Sequence, residues 1–159
     1  MNKTIFLDID GVLNIYSESY KTNSVAFDTH FQETITRMEF HLVKRLEYIV
    51  ENTDANIVLI SGWNLESVKR VLKQNDFRYL DKIKSKLMLS DRVEGILEYI
   101  ADNAIEDFIV LDDEIDIGKA SRLDSNRLKI WVGTYISPHE GLTDRIARFA
   151  VKILNRKMY

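Results

Sequence analysis

Five short, apolar segments of the chain alternate with longer segments in which apolar residues recur at helical spacing. Residues 4–9, 56–61 and 107–111 are almost continuously apolar, which is typical of strands that are buried on both faces of a sheet. Shorter apolar runs at 85–89 and 128–132 are predicted to add two more strands. The pattern therefore predicts a five-stranded, mostly parallel sheet.

The segments between these strands place apolar residues on one helical face. The predicted helices are 39–52, 65–74, 92–102 and roughly 143–156. Ser90 or Asp91 is the predicted cap of the third helix, and Asp91 stands three residues before Glu94, which is the spacing of a capping box. Strands that alternate with helices form βαβ units with right-handed crossovers. We therefore predict an α/β fold with helices on both faces of the sheet.

One segment, 14–38, departs from this alternation. It is polar, and it is long for a connection between a strand and a helix. Apolar residues at Val25, Phe27 and Phe31 alternate with others, so a small hairpin fits there. We interpret this segment as a flap or small insertion in a single domain that covers 1–159 and carries no large cap domain.

Composition narrows the class of protein. The chain has 159 residues, 45% of them hydrophobic, and a net charge of −3, which argues against a strongly basic nucleic-acid surface. It has no cysteine, and its three histidines lack metal-ligand spacing. No apolar run reaches the ~20 residues that cross a bilayer. We expect a soluble, cytoplasmic protein with no membrane partner, while its oligomeric state is not predicted.

Three of the predicted strands end in polar residues. The first is followed by Asp8 and Asp10, the second ends in Ser61, and the third is followed by Asp112 and Asp113. Parallel strands present their carboxyl ends at one edge, where ligands bind. Several carboxylates at close range require a cation, and an all-oxygen donor set suits Mg²⁺. The alternative is that the aspartates simply favour a solvent-exposed turn.

These strand ends resemble a known superfamily. FLDIDGVLN at 6–14, LIS at 59–61 and IVLDDEID at 109–116 are similar to the first, second and fourth motifs of haloacid dehalogenase (HAD) proteins. SGWN at 61–64 and GLT at 141–143 resemble capless HAD domains related to Swiss Army Knife RNA-repair proteins. Those domains often have arginine where this chain has Asn64. The resemblance implies a HAD-like Rossmannoid fold with sheet order 5-4-1-2-3.

The resemblance also implies roles for the residues at the strand ends. Asp8 would be the nucleophile, and Asp10 would be the general acid and then the general base. Ser61 would hold a phosphoryl oxygen. The implied ligands of Mg²⁺ are Asp8, the main-chain carbonyl of Asp10, and either Asp112 or Asp113.

The third HAD motif is a basic residue near the start of the helix before the fourth motif. Arg92 is the candidate for this role, and Lys84 and Lys86 are its competitors. The remaining candidates are the predicted substrate-binding residues, namely Gly11, Asn14, Gly62, Trp63 and Asn64. Trp63 would either stack on a base or sugar or fill space beneath its loop.

We therefore expect a Mg²⁺-dependent phosphomonoester hydrolase that forms an aspartyl-phosphate. An open site favours a bulky phosphorylated substrate, and the subgroup resemblance favours a nucleotide or a polynucleotide end. The alternatives are a phosphatase of small metabolites or phosphoproteins, and a phosphotransferase or phosphonatase of the same superfamily. The non-enzymatic alternative is a binding or regulatory module that retains the fold but does not turn over a substrate.

Overall fold

A computed structural model describes residues 2–15, 37–88, 91–114 and 136–156 of the chain. The strands in these ranges are β1 (Lys3–Leu7), β2 (Asn56–Leu59), β3 (Ile83–Lys86) and β4 (Asp107–Leu111). The α-helices are α1 (Phe40–Thr53), α2 (Leu65–Gln74), α3 (Arg92–Asp102) and α4 (Asp144–Leu154). A 3₁₀ turn at Leu80–Lys82 leads into β3.

The described strands form one four-stranded parallel sheet in the order β3-β2-β1-β4. In this sheet Phe6 stands opposite Val58 on one side and Val110 on the other. The α/β class, the parallel sheet and the predicted order of these four strands are confirmed. The fifth predicted strand, 128–132, lies outside the described residues, as does the stretch 16–36 of the predicted flap.

Successive residues of β1, β2 and β4 enter two separate hydrophobic cores. Ile5 and Leu7 of β1 belong to the larger core, which also contains buried residues of α1, α2 and α4. Phe6 belongs to the smaller core with Val93 and Ile96 of α3. This alternation is the period of two expected for an extended strand. The prediction of helices on both faces of the sheet is therefore confirmed.

Side-chain caps fix where α2, α3 and α4 begin. The carboxylate of Asp91 accepts hydrogen bonds from the backbone N–H groups of Val93 at 3.1 Å and Glu94 at 3.2 Å, so the predicted cap of α3 is confirmed. Thr143 accepts a hydrogen bond from the Ile146 N–H at 3.2 Å and starts α4. The cap of α3 matters for the site because Arg92 is the first residue of this helix.

The boundary of β3 differs from its prediction. The sequence predicted a strand near 85–89, whereas β3 is Ile83–Lys86 and only Ile83 of its residues is buried. The apolar run misled the prediction, because the side chain of Met88 lies outside the strand with 89% of its surface exposed. Lys84 of β3 is exposed while Ser85 and Lys86 are half-buried, so the burial of this strand does not follow a continuous apolar pattern.

A turn before α4 supports the loop that follows β1. Gly141 has φ of +65°, and a Cβ there would come within 2.8 Å of the Val12 carbonyl oxygen. The next residue, Leu142, donates its N–H to that same oxygen at 2.8 Å. Glycine is therefore needed for this close approach. None of the helices in the described part of the chain has the length and apolar character to cross a membrane.

Candidate active site

The site lies at the carboxyl ends of the neighbouring strands β1 and β4. Asp8 directly follows β1, and its N–H donates to the Leu111 carbonyl at 2.9 Å, which continues the pairing of the two strands by one residue. Asp112 and Asp113 directly follow β4. One carboxylate oxygen from each of these aspartates lies within 4.8 Å of the others. We call Asp8, Asp112 and Asp113 the acid cluster.

Arg92 is the cation that contacts the acid cluster. Its Nη1 lies 2.7 Å from Oδ2 of Asp112 and 3.4 Å from Oδ2 of Asp8. The competing lysines point elsewhere, since Lys84 donates to the Asp81 carbonyl at 2.8 Å and Lys86 lies 3.5 Å from the Gly62 carbonyl. This geometry favours Arg92 for the third-motif role.

Within the described ranges, a single guanidinium faces the three carboxylates of the acid cluster. Burial and the neighbouring Asp112 raise the pKa of Asp8 from its usual 3.8 to about 8, although Arg92 acts in the opposite direction. Burial, Asp112 and Glu114 raise the pKa of Asp113 to about 6. Both shifts have the same cause, because negative charge is held in a partly desolvated space. The acid cluster therefore favours any further positive charge.

The donor set of the acid cluster fits a hard divalent cation. All three side chains offer carboxylate oxygens, and Oδ1 of Asp113 is buried with no hydrogen-bond partner among the described residues. Both oxygens of Asp112 are engaged, Oδ1 by the Glu114 N–H at 2.9 Å and Oδ2 by Arg92. A buried acceptor without a donor is costly, and a bound cation would satisfy it.

Gly11 makes room for one member of the acid cluster. It has φ of +78°, and a Cβ at this position would overlap the carboxylate of Asp113. A side chain here would therefore push Asp113 away from the loop after β1. Gly11 was a candidate substrate-binding residue, and its own N–H donates to Oδ1 of Asn14 at 2.9 Å.

Asp10 lies outside the acid cluster and has its own partners. The indole N–H of Trp63 lies 3.1 Å from each oxygen of its carboxylate. Asn14 donates to Oδ1 of Asp10 at 2.9 Å and to the Arg37 carbonyl at 3.1 Å. Two neutral donors therefore fix the orientation of this carboxylate. We call Asp10, Asn14 and Trp63 the Asp10 network.

The sequence did not predict the contact between Trp63 and Asp10. Trp63 was a candidate either for stacking on a base or sugar or for filling space beneath its loop, and its 5% exposure and its place in the larger core favour the second. Its indole nitrogen needs an acceptor when buried, and that need was the available signal. The identity of the acceptor followed only from the fold, since the two residues are 53 positions apart.

The other candidate substrate residues occupy the loop after β2. Ser61 is buried, and its Oγ accepts a hydrogen bond from the backbone N–H of Trp63 at 3.1 Å. Gly62 is exposed beside it. Asn64 uses its side chain to cap α2, with its Oδ1 2.9 Å from the Glu66 nitrogen and 3.4 Å from the Ser67 nitrogen. A cap role explains asparagine at this position without any contact to substrate.

Residues 4–147 of the chain match the family model described as the HAD domain in Swiss Army Knife RNA repair proteins. The chain belongs to this family. No curated protein and no solved structure gave a significant match. Membership indicates a phosphatase-type hydrolase, and the acid cluster is a group that could hold the Mg²⁺ typical of HAD enzymes.

Proposed function

We propose that this protein is a Mg²⁺-dependent phosphomonoester hydrolase that works through an aspartyl-phosphate on Asp8. The observation that carries the proposal is the meeting of Asp8 with Asp112, Asp113 and Arg92 at one edge of the sheet. Three buried or half-buried acids with one arginine are poorly suited to a structural role, because burial of unpaired charge is unfavourable. Their arrangement suits the binding of a cation and a phosphate.

The chemistry assigns one step to each acid of the loop after β1. A carboxylate oxygen of Asp8 attacks phosphorus while the bond from phosphorus to the leaving oxygen breaks. Asp10 gives its proton to that oxygen. Water then attacks the phosphorus of the aspartyl-phosphate, Asp10 accepts the proton from this water, and the bond to Asp8 breaks to release phosphate.

The other residues bind and orient the transferred phosphate. Arg92 offers further guanidinium donors to phosphoryl oxygens from its position beside Asp8. Ser61 would donate its hydroxyl proton to one of these oxygens. Asp8 and Asp113 would hold Mg²⁺ with the main-chain carbonyl of Asp10, and the free Oδ1 of Asp113 favours it over Asp112 as the direct ligand. The ion would lessen the repulsion between Asp8 and the phosphate.

The name of the family supports a nucleotide or a nucleic-acid end phosphate as the substrate class. The substrate itself would be found by a screen over nucleotides, sugar phosphates, phosphoamino acids and oligonucleotides phosphorylated at either end. A binding or regulatory module would bind such molecules without turnover, and a phosphatase of metabolites or phosphoproteins would prefer the small or peptide-linked members of this screen.

The decisive experiment measures hydrolysis of an aryl phosphate with magnesium, and with a chelator in its place. Wild-type protein is expected to turn over only with magnesium, and Asp8→Asn is expected to lose activity to the background of the assay because the nucleophile is gone. Turnover by Asp8→Asn equal to that of wild type would exclude the aspartyl-phosphate. A wild-type protein inactive on the whole screen would favour the binding module.

A further inference from the structure

An open cleft of about 290 Å³ lies next to the acid cluster, between the loops that follow β2 and β3. Ser61 and Gly62 line one side of this cleft, while Lys86 and Met88 line the other. Arg92 belongs to both places, since it lines the cleft and also contacts Asp8 and Asp112. A phosphate held by Arg92 and Ser61 would therefore have the rest of its molecule at the mouth of this cleft.

The charge of the cleft is opposite to that of the acid cluster. Among the described residues that line it are two cationic side chains, Lys86 and Arg92, and no acidic one. Arg92 already pairs with two aspartates, whereas Lys86 forms no ion pair with any acid in the described ranges. The Lys86 ammonium lies 3.5 Å from the Gly62 carbonyl, one residue beyond Ser61. A partly exposed ammonium next to the site attracts a second anion.

The loop that borders the cleft on the Gly62 side also contacts the proton donor of the proposed reaction. Gly62 is followed by Trp63, whose indole N–H binds the carboxylate of Asp10. Asp10 protonates the leaving oxygen in the proposed function, so the leaving group departs beside this loop. Met88, with 89% of its surface exposed at the edge of the cleft, offers an apolar contact to the same group.

We propose that this cleft is a leaving-group subsite in which Lys86 binds a second phosphate of the substrate. The inference rests on the proposed function and names its substrate class, a phosphomonoester whose leaving group carries another phosphate. Both a phosphate-terminated polynucleotide and a small bisphosphate have this chemistry. A phosphomonoester without a second phosphate would gain nothing from Lys86.

The test compares Lys86→Gln with Lys84→Gln, a matched control on the same strand whose ammonium binds the Asp81 carbonyl away from the cleft. Three substrates are used, namely an aryl phosphate, a dinucleotide with a terminal phosphate and a nucleoside 3′,5′-bisphosphate. Lys86→Gln is expected to lower kcat/KM about tenfold on a substrate with a second phosphate, which is the effect of one charge-assisted hydrogen bond. On the aryl phosphate the loss should stay below about twofold.

The pattern over these substrates decides the proposal. A loss confined to the dinucleotide assigns the second phosphate to a polynucleotide, and a loss confined to the bisphosphate assigns it to a small molecule. An equal loss on the aryl phosphate would overturn the proposal, because Lys86 would then act on the transferred phosphate. No loss on any substrate, or the same loss in Lys84→Gln, would overturn it as well.

A binding experiment separates this proposal from the proposed function. Asp8→Asn protein with magnesium is titrated with the dinucleotide and the bisphosphate by calorimetry, with and without Lys86→Gln. Binding weakened about tenfold by Lys86→Gln supports the subsite even if wild-type protein shows no turnover. Equal affinity of the Asp8→Asn proteins with and without Lys86→Gln would refute the subsite, even if wild-type protein hydrolyses the aryl phosphate. The thermal midpoint of each variant checks that the fold is intact.

Discussion

Two buried carboxylates of this protein, Glu47 and Asp8, have similar exposure and opposite electrostatic surroundings. About 5% of Glu47 and 4% of Asp8 is exposed to solvent. Glu47 accepts hydrogen bonds from the Lys44 ammonium at 3.1 Å, the Arg78 N–H at 2.9 Å and the Arg78 guanidinium at 3.1 Å. Asp8 instead shares one arginine with Asp112 and lies near Asp113.

The pKa values follow this difference in partners. Burial by itself would raise the pKa of Glu47, but the Arg78 N–H and the Lys44 ammonium together hold it below its usual value. At Asp8 burial and Asp112 act in the same direction, and the pKa rises to about 8. Glu47 is thus a satisfied structural charge that joins α1 to the residues after α2. Asp8 is a charge that the described protein leaves poorly compensated, which is typical of a functional site.

The largest expected effect is a pH dependence of stability that belongs to Asp8. The folded state holds the Asp8 proton up to about pH 8, whereas the unfolded state releases it near 3.8, so the free energy of unfolding falls between these values as pH rises. Without metal, Asp8→Asn is expected to be more stable than wild type at pH 8 by an amount on the order of a few kcal/mol. The difference should vanish near pH 4.

Denaturant unfolding of both proteins at several pH values measures this difference, and magnesium provides the control. A bound cation favours ionised Asp8, so magnesium should stabilise wild type at pH 8 more than Asp8→Asn. If wild type without metal were the more stable of the two at pH 8, Asp8 would be a well-compensated charge like Glu47, and the prediction would be wrong.

Replacing Glu47 is expected to change the free energy of unfolding by a smaller amount and in the opposite direction, since the variant should be less stable than wild type. Glu47→Gln removes the charge that Lys44 and Arg78 share, so it should lower the free energy of unfolding at pH 7 by about 1–3 kcal/mol. Because the pKa of Glu47 is lowered in the folded state, this loss should shrink as pH falls below about 4. Unfolding curves at pH 7 and pH 3.5 check it, and kcat/KM on an aryl phosphate should be unchanged.

The smallest effect concerns Asp10, whose partners in the Asp10 network are neutral. Trp63→Phe keeps an aromatic ring in the core but removes the N–H that holds the Asp10 carboxylate at 3.1 Å. We expect kcat to fall about tenfold on an alkyl phosphate, which is the effect of misplacing a general acid. An aryl oxide leaves more easily than an alkoxide and depends less on the proton donor, so kcat on an aryl phosphate should fall less. Equal losses on both would indicate a structural role only.

The predicted elements that the structure confirms share one property. The strands at β1, β2 and β4 and the four helices have strong periodic patterns, because each is fully buried or has one clearly apolar face. The pattern failed at β3, where Lys84 is exposed and the apolar Met88 stands outside the strand. A strand with a single buried residue carries too weak a burial signal to fix its ends.

The sequence by itself determined the chemistry available at the site. A buried strand that runs into two aspartates, and a second one that ends in a pair, predict an acid-rich edge in a parallel sheet. Those inferences hold because the direction of parallel strands decides which ends meet. They do not depend on the position of any individual side chain.

Only the tertiary structure decided which partner each acid has. Asp8 and Asp10 both follow β1, but Asp8 joins Asp112 and Asp113 whereas Asp10 binds Trp63 and Asn14. The same folding brought Arg92, and neither Lys84 nor Lys86, against Asp8 and Asp112, and it left the Lys86 ammonium beside an open cleft. Contacts between residues far apart in the chain depend on how elements pack, and no local pattern encodes that packing.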